Sequence, residues 1–119
     1  MKLRFALTPL LFATAPLWAG SPEIVDAKIT KQGMNWRIEV TLLHEDTGWE
    51  HFADGWEVLD ADGRVLGYRK LHHPHVEEQP FTRSLSNLML PDGTRELFIR
   101  AHCSKKGWNS ETVRIELSP

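Results

Sequence analysis

Period-two alternation of apolar and polar residues constrains this chain more than any other feature. Trp36, Ile38, Val40 and Leu42 alternate with Arg37, Glu39 and Thr41, and Leu97, Ile99, Ala101 and Cys103 with Glu96, Phe98, Arg100 and His102. Val113, Ile115 and Leu117 likewise alternate with Thr112, Arg114 and Glu116. Successive side chains of an extended backbone point to opposite faces, so each run buries one face and wets the other, as antiparallel sheets do. Weaker runs cover Ile24–Lys31, Gly55–Leu59, Arg64–Leu71 and Phe81–Leu90; in the last, a slip near Ser86-Asn87 marks a bulge. No stretch beyond residue 19 keeps a helical period for three turns. Turn signals at Gly33, Asp60-Ala61-Asp62-Gly63 and Pro91-Asp92-Gly93-Thr94 separate the runs. The expectation is an all-β, seven-stranded antiparallel sandwich.

The first 19 residues have a different character. Lys2 and Arg4 precede an apolar stretch from Phe5 to Trp18, and Ala19 supplies the small residue before a cut, so residues 1–19 read as a cleaved signal peptide. The stretch is too short, and too broken by Pro9 and Pro16, for stable membrane insertion, which needs about 20 apolar residues. No cysteine lies at the cut to take a lipid. Residues 20–119 then form a single β-sandwich domain, periplasmic or secreted. Loss of Lys2 and Arg4 lowers the basic count from 14 to 12 against 16 acidic residues, which argues against a nucleic-acid partner. Cys103 is the sole cysteine, so no internal disulfide can hold the fold and a packed core must.

Strands that run alternately up and down put the three tight turns at one end. The opposite end receives Leu43–Asp54, His72–Gln79 and Ser104–Ser110. His44, His51, His72, His73 and His75 fall in these loops and His102 just before the last, so all six histidines gather there with Trp49, Trp108, Asp46, Glu77 and Glu78. Loops on a rigid scaffold are where binding function concentrates. Imidazole is the commonest protein ligand for copper and zinc. Pro74 favours extended backbone at His73, so His73 and His75 point the same way, roughly 6–7 Å apart along the chain. Together with His44 or His51 they form the expected metal site, with His72 beside it. His44 continues the inward parity of Trp36 through Leu42 and so points into the cluster.

Other constellations carry less. His102 and Cys103 face opposite sides of a strand and cannot form a nucleophile–base pair. Cys103 continues the inward parity of its strand and reads as a small core hydrophobe. Trp49 and Trp108 read either as a cover for the core or as contacts for a partner. Asp60–Gly63 lacks the further ligands of a calcium loop and is a hairpin turn. Arg83 is positioned in sequence to pair with Glu77 or Glu78.

Leu88, Pro91, Gly93, Thr94, Ile99, Ala101, Gly107 and Ser110 resemble the second half of a fibronectin type III or related immunoglobulin-like module, with the usual tyrosine replaced around Leu97. That resemblance implies a fold and no activity. His73-Pro74-His75 with Glu78-Gln79-Pro80-Phe81-Thr82-Arg83-Ser84 resembles a group of small exported bacterial proteins, which implies export. No catalytic motif stands in the chain. The expectation is therefore an exported, non-enzymatic binding module for copper or zinc. Its rival is an accessory domain of the cell envelope that contacts a protein partner and whose histidines are incidental.

Overall fold

A computed structural model describes residues 20–117. The leader reading falls on residues 1–19, outside the described residues. Eight strands follow one another: β1 (Glu23–Gln32), β2 (Asn35–Leu43), β3 (Ala53–Leu59), β4 (Val65–Lys70), β5 (Phe81–Leu88), β6 (Glu96–Cys103), β7 (Gly107–Trp108) and β8 (Val113–Glu116). They form two antiparallel sheets, one ordered β1-β2-β5 and the other β4-β3-β6-β7, with β8 also paired to β6. Among the described residues there is no helix, and so none long and apolar enough to cross a membrane.

Seven alternating runs become eight strands because one edge position is shared. β7 pairs with the His102–Cys103 end of β6, and β8 with its Glu96–Ile99 end. Two residues are too few to show a period, so β7 lay hidden inside the expected loop. The slip near Ser86-Asn87 is real. Trp36 faces Leu88 while Ile38 faces Leu85, which leaves one residue extra on β5, and Asn87 turns to a φ of 58° to absorb it.

The inward faces meet in one core. Ile38, Val40 and Leu42 come from β2, Trp56 and Val58 from β3, and Leu97, Ile99 and Ala101 from β6. Each is essentially inaccessible to water, and each large side chain there is worth about 1.5–3 kcal/mol of burial. The layers approach each other closely where β4 meets β5. A Cβ on Gly67 would lie 2.8 Å from both Leu85 Cδ2 and Leu88 Cδ1, so nothing larger than glycine fits without displacing a leucine.

The turns obey their chemistry. Gly33, at φ 64°, closes the two-residue β1–β2 hairpin. Asp60 Oδ1 accepts from the backbone N–H groups of Asp62 and Arg64, which makes that tetrad a hairpin turn. The long connections and the start of β1 lie at the other end of the sandwich.

Candidate metal centre

His44 leaves the end of β2 still on the inward parity of that strand and is 3% exposed. Its Nδ1 lies 2.5 Å from Asp46 Oδ1. The Asp46 side chain is fully buried and gathers two further donors: the Ala53 backbone N–H reaches Oδ1 at 3.0 Å and the His75 backbone N–H reaches Oδ2 at 2.7 Å. Burial by itself would raise the Asp46 pKa. The hydrogen bonds from His44, His75 and Ala53 outweigh it and hold the carboxyl below the ordinary aspartate value. An ionised Asp46 only accepts, so His44 Nδ1–H is the donor of this pair, and the ring is oriented with Nε2 away from the carboxylate.

A second histidine arrives by a different route. Thr47 N–H bonds His51 O at 3.0 Å and His51 N–H bonds Gly48 O at 3.1 Å, a tight reversal that returns the chain toward β6. Phe52 and Ser104 then tie the two ends together: Phe52 N–H donates to Ser104 Oγ at 3.0 Å, and Ser104 N–H to Phe52 O at 2.9 Å. Ala53 lies opposite Cys103, and the β3 bulge between Ala53 and Gly55 leaves both Ala53 and Trp56 buried. His51 therefore stands edge-on to His44, ring centroids 5.0 Å apart at 80°. The Cys103 thiol, free and fully buried, closes the group.

One donor atom each from His44, His51 and Cys103 lie within 4.8 Å of one another, and no other such trio of histidine, cysteine or carboxylate groups occurs among the described residues. Bonds of roughly 2.0–2.3 Å to imidazole and thiolate bring tetrahedral donors to about 3.3–3.8 Å apart, so side-chain shifts of about 1 Å suffice to close the set on an ion. A carboxylate on the far nitrogen of a ligating histidine is the outer support that metal sites use to fix tautomer and orientation, and Asp46 is so placed. The donor set fits a transition metal.

The remaining histidines take other places. His75 is buried, stacked on Phe81 at 3.9 Å, and its Nε2 lies 2.9 Å from Arg83 Nη2, which donates to it. Its Nδ1 has no hydrogen-bond partner, with Asp46 Oδ2 3.9 Å away. Burial first, then the Arg83 and His73 charges, lower the His75 pKa against the opposing pull of Asp46 and Glu78. His73 is exposed and tilts over His75 with centroids 4.6 Å apart; His72 is exposed too. Arg83 also reaches Glu78 at 3.3 Å. His102 projects from the outer face of the five-stranded sheet, bonded to Asp54 and edge-on to Trp108 at 4.8 Å. Neither tryptophan covers the core. Trp49 is 68% exposed at its loop tip against Phe52, and Trp108 lies on the outer sheet face under Arg100.

Cys103 is buried at the end of the core, as the inward parity of β6 predicts, and the same parity on β2 aims His44 at that end, which brings the thiol beside the two histidines. Two inward-facing residues at the same end of facing sheets must approach each other, and that was the available signal.

No family model matches the chain. A protein of Halomicrobium mukohataei described as a "Putative lipoprotein" is 35% identical over 79 residues, 66% of this chain and 38% of that protein. The match thus spans well under half of the relative's length. Among solved structures, a superoxide reductase from Nanoarchaeum equitans superposes with a TM-score of 0.54 at 15% identity, over 82% of this chain and 91% of that one. This is a likeness of fold, and it corrects two expectations. The sandwich resembles that of a superoxide reductase, and no immunoglobulin or fibronectin type III family is shown. The expectation of a non-enzymatic module is also overturned, because the neighbour with this architecture is an enzyme.

Proposed function

We propose that this protein is a redox metalloprotein of the cell envelope, with His44, His51 and Cys103 as metal ligands and Asp46 as the orienting carboxylate. The convergence of the three donors at the buried end of the sandwich carries the reading. Imidazole with thiolate suits copper, zinc and iron alike, so the donor set does not single out copper or zinc. The fold shared with a superoxide reductase favours an ion that changes oxidation state, iron or copper. Such an ion, when bound, supplies one-electron chemistry toward superoxide, the electron being replaced by an external donor.

The chain's own residues do the rest. Asp46 fixes the His44 ring, and the apolar core beneath Cys103 keeps water from the thiolate side. Lys106 lays its stem across Gly20, which brings a cation to the rim where an anionic substrate arrives. Export is supported by the name of the Halomicrobium relative and by the character of residues 1–19.

The test is anaerobic loading of the purified protein with Fe(II) or Cu(II), followed by absorption spectroscopy. A visible thiolate-to-metal band is expected in one redox state and should vanish in Cys103→Ser. The metal-loaded protein should consume superoxide faster than the metal-free protein. Absence of any Cys103-dependent band with both metals would overturn the assignment.

A further inference from the structure

Resting on that metal site, the structure points to a fourth contributor from the start of the described chain. We propose that Gly20 belongs to the metal centre: its carbonyl oxygen is a ligand, and removal of the leader after Ala19 frees a Gly20 α-amine that binds the same ion.

The strap Gly20-Ser21-Pro22 crosses the mouth of the site. Gly20 O lies 3.2 Å from His44 Nε2 and 3.4 Å from His51 Nε2, so both imidazoles point at one main-chain oxygen. A carbonyl oxygen is itself a donor atom for an ion, and here the imidazoles of two residues of the donor set converge on one such oxygen. The strap is held in place rather than merely resting there. Pro22 is buried, its carbonyl accepts from Asn109 Nδ2 at 2.9 Å, and Asn109 N–H is in turn fixed to Ala101 O at 2.9 Å. Gly20 adopts a φ of 89°, and a Cβ there would lie 2.8 Å from Lys106 Cε. Its backbone conformation and its close cover both favour glycine.

This position coincides with the boundary read from the sequence. Hydrolysis of the Ala19–Gly20 bond by a leader peptidase consumes one water, leaving the carboxylate on the leader and the amine on Gly20. The α-amine and carbonyl oxygen of one residue close a five-membered ring with an ion. An internal amide nitrogen has no lone pair to offer in that way. Export and metal binding are thereby coupled: the complete donor set exists only after processing.

The experiment compares two forms of the otherwise identical protein, one beginning at Gly20 and one at Ala19, each titrated with Co(II) and followed by visible absorption. The Gly20 form should bind about 10–100-fold more tightly, the scale by which supporting groups shift metal affinity. Its ligand-field bands should also differ from those of the Ala19 form. In His44→Ala and His51→Ala variants of the Gly20 form the advantage should disappear. Equal affinities and superimposable spectra in the two forms, each with a Cys103-dependent band, would overturn this inference while leaving the three-residue site intact. An advantage that survives loss of both histidines would also overturn it, since the amine would then bind elsewhere. No Cys103-dependent band in either form would overturn the site itself and this inference with it.

Discussion

His44 and His75 are both buried histidines at the same end of one small sandwich, and both touch Asp46, yet their surroundings prepare them for opposite roles. His44 donates Nδ1–H to the Asp46 side chain and turns Nε2 toward Gly20 O, with His51 and Cys103 beside it. His75 gives Asp46 only a backbone N–H, while Arg83 occupies its Nε2 and Phe81 covers its ring. What stands on the second nitrogen, rather than residue type or burial, therefore separates the two rings.

The comparison breaks most severely at the group the two histidines share. Asp46→Ala leaves the His44 ring and the Ala53 and His75 N–H groups without their acceptor, and a loss of about 3–5 kcal/mol is expected in urea unfolding, the range for breaking a buried charged partnership. A loss below 1 kcal/mol would mean that water replaces the carboxylate without cost.

The two histidines should then separate cleanly by affinity. His44→Ala should weaken metal binding by about 100-fold or more, as loss of a direct ligand must exceed loss of a supporting group. His75→Ala should keep the affinity within a few-fold and lose stability instead, through the emptied space on Phe81. Calorimetric titration alongside thermal unfolding reads both, and equal loss of affinity in the two variants would erase the distinction.

A pH series sharpens it further. His75 has a folded pKa below its unfolded value of 6.5, so below that pH the unfolded chain takes up a proton that the folded chain resists. Its contribution is present above pH 6.5 and is lost as pH falls through the folded value. His75→Gln should flatten this part of the stability profile of the metal-free protein. The depressed Asp46 adds a separate loss below its unfolded value of 3.8. The smallest effect is expected at Trp49. Its exposed ring on Phe52 makes Trp49→Ala nearly neutral, within about 0.5 kcal/mol by denaturant melts.

The strands were legible because period two is a local signal. β2, β6 and β8 appear in the sequence within a residue or two of their bounds, and even the β5 bulge left its mark at Ser86-Asn87. The up-and-down argument also placed His44 and His51 at one end. What escaped is non-local. Cys103 meets His44 from 59 positions away across two layers, and Gly20 reaches the same point because β1 must begin at the end opposite its Gly33 hairpin. That follows from the same topology, had the start of the chain been counted as a loop. The attention given to His73-Pro74-His75 rested on neighbourhood in sequence. Arg83, eight residues beyond His75, cannot be placed on its ring nitrogen by any pattern along the chain.

The close approach at Gly67 has a mechanical meaning for the opposite end. His44 hangs from the three-stranded layer and Cys103 from the five-stranded one, so the two sheets act as the arms of a calliper with a donor at each tip. Gly67 is seated far down between those arms, against Leu85 and Leu88. Tightly packed interiors transmit displacement rather than absorb it. A methyl group there would push first on the flexible tips of those two leucines, so the closeness of the arms at this point rests on a residue with no side chain at all.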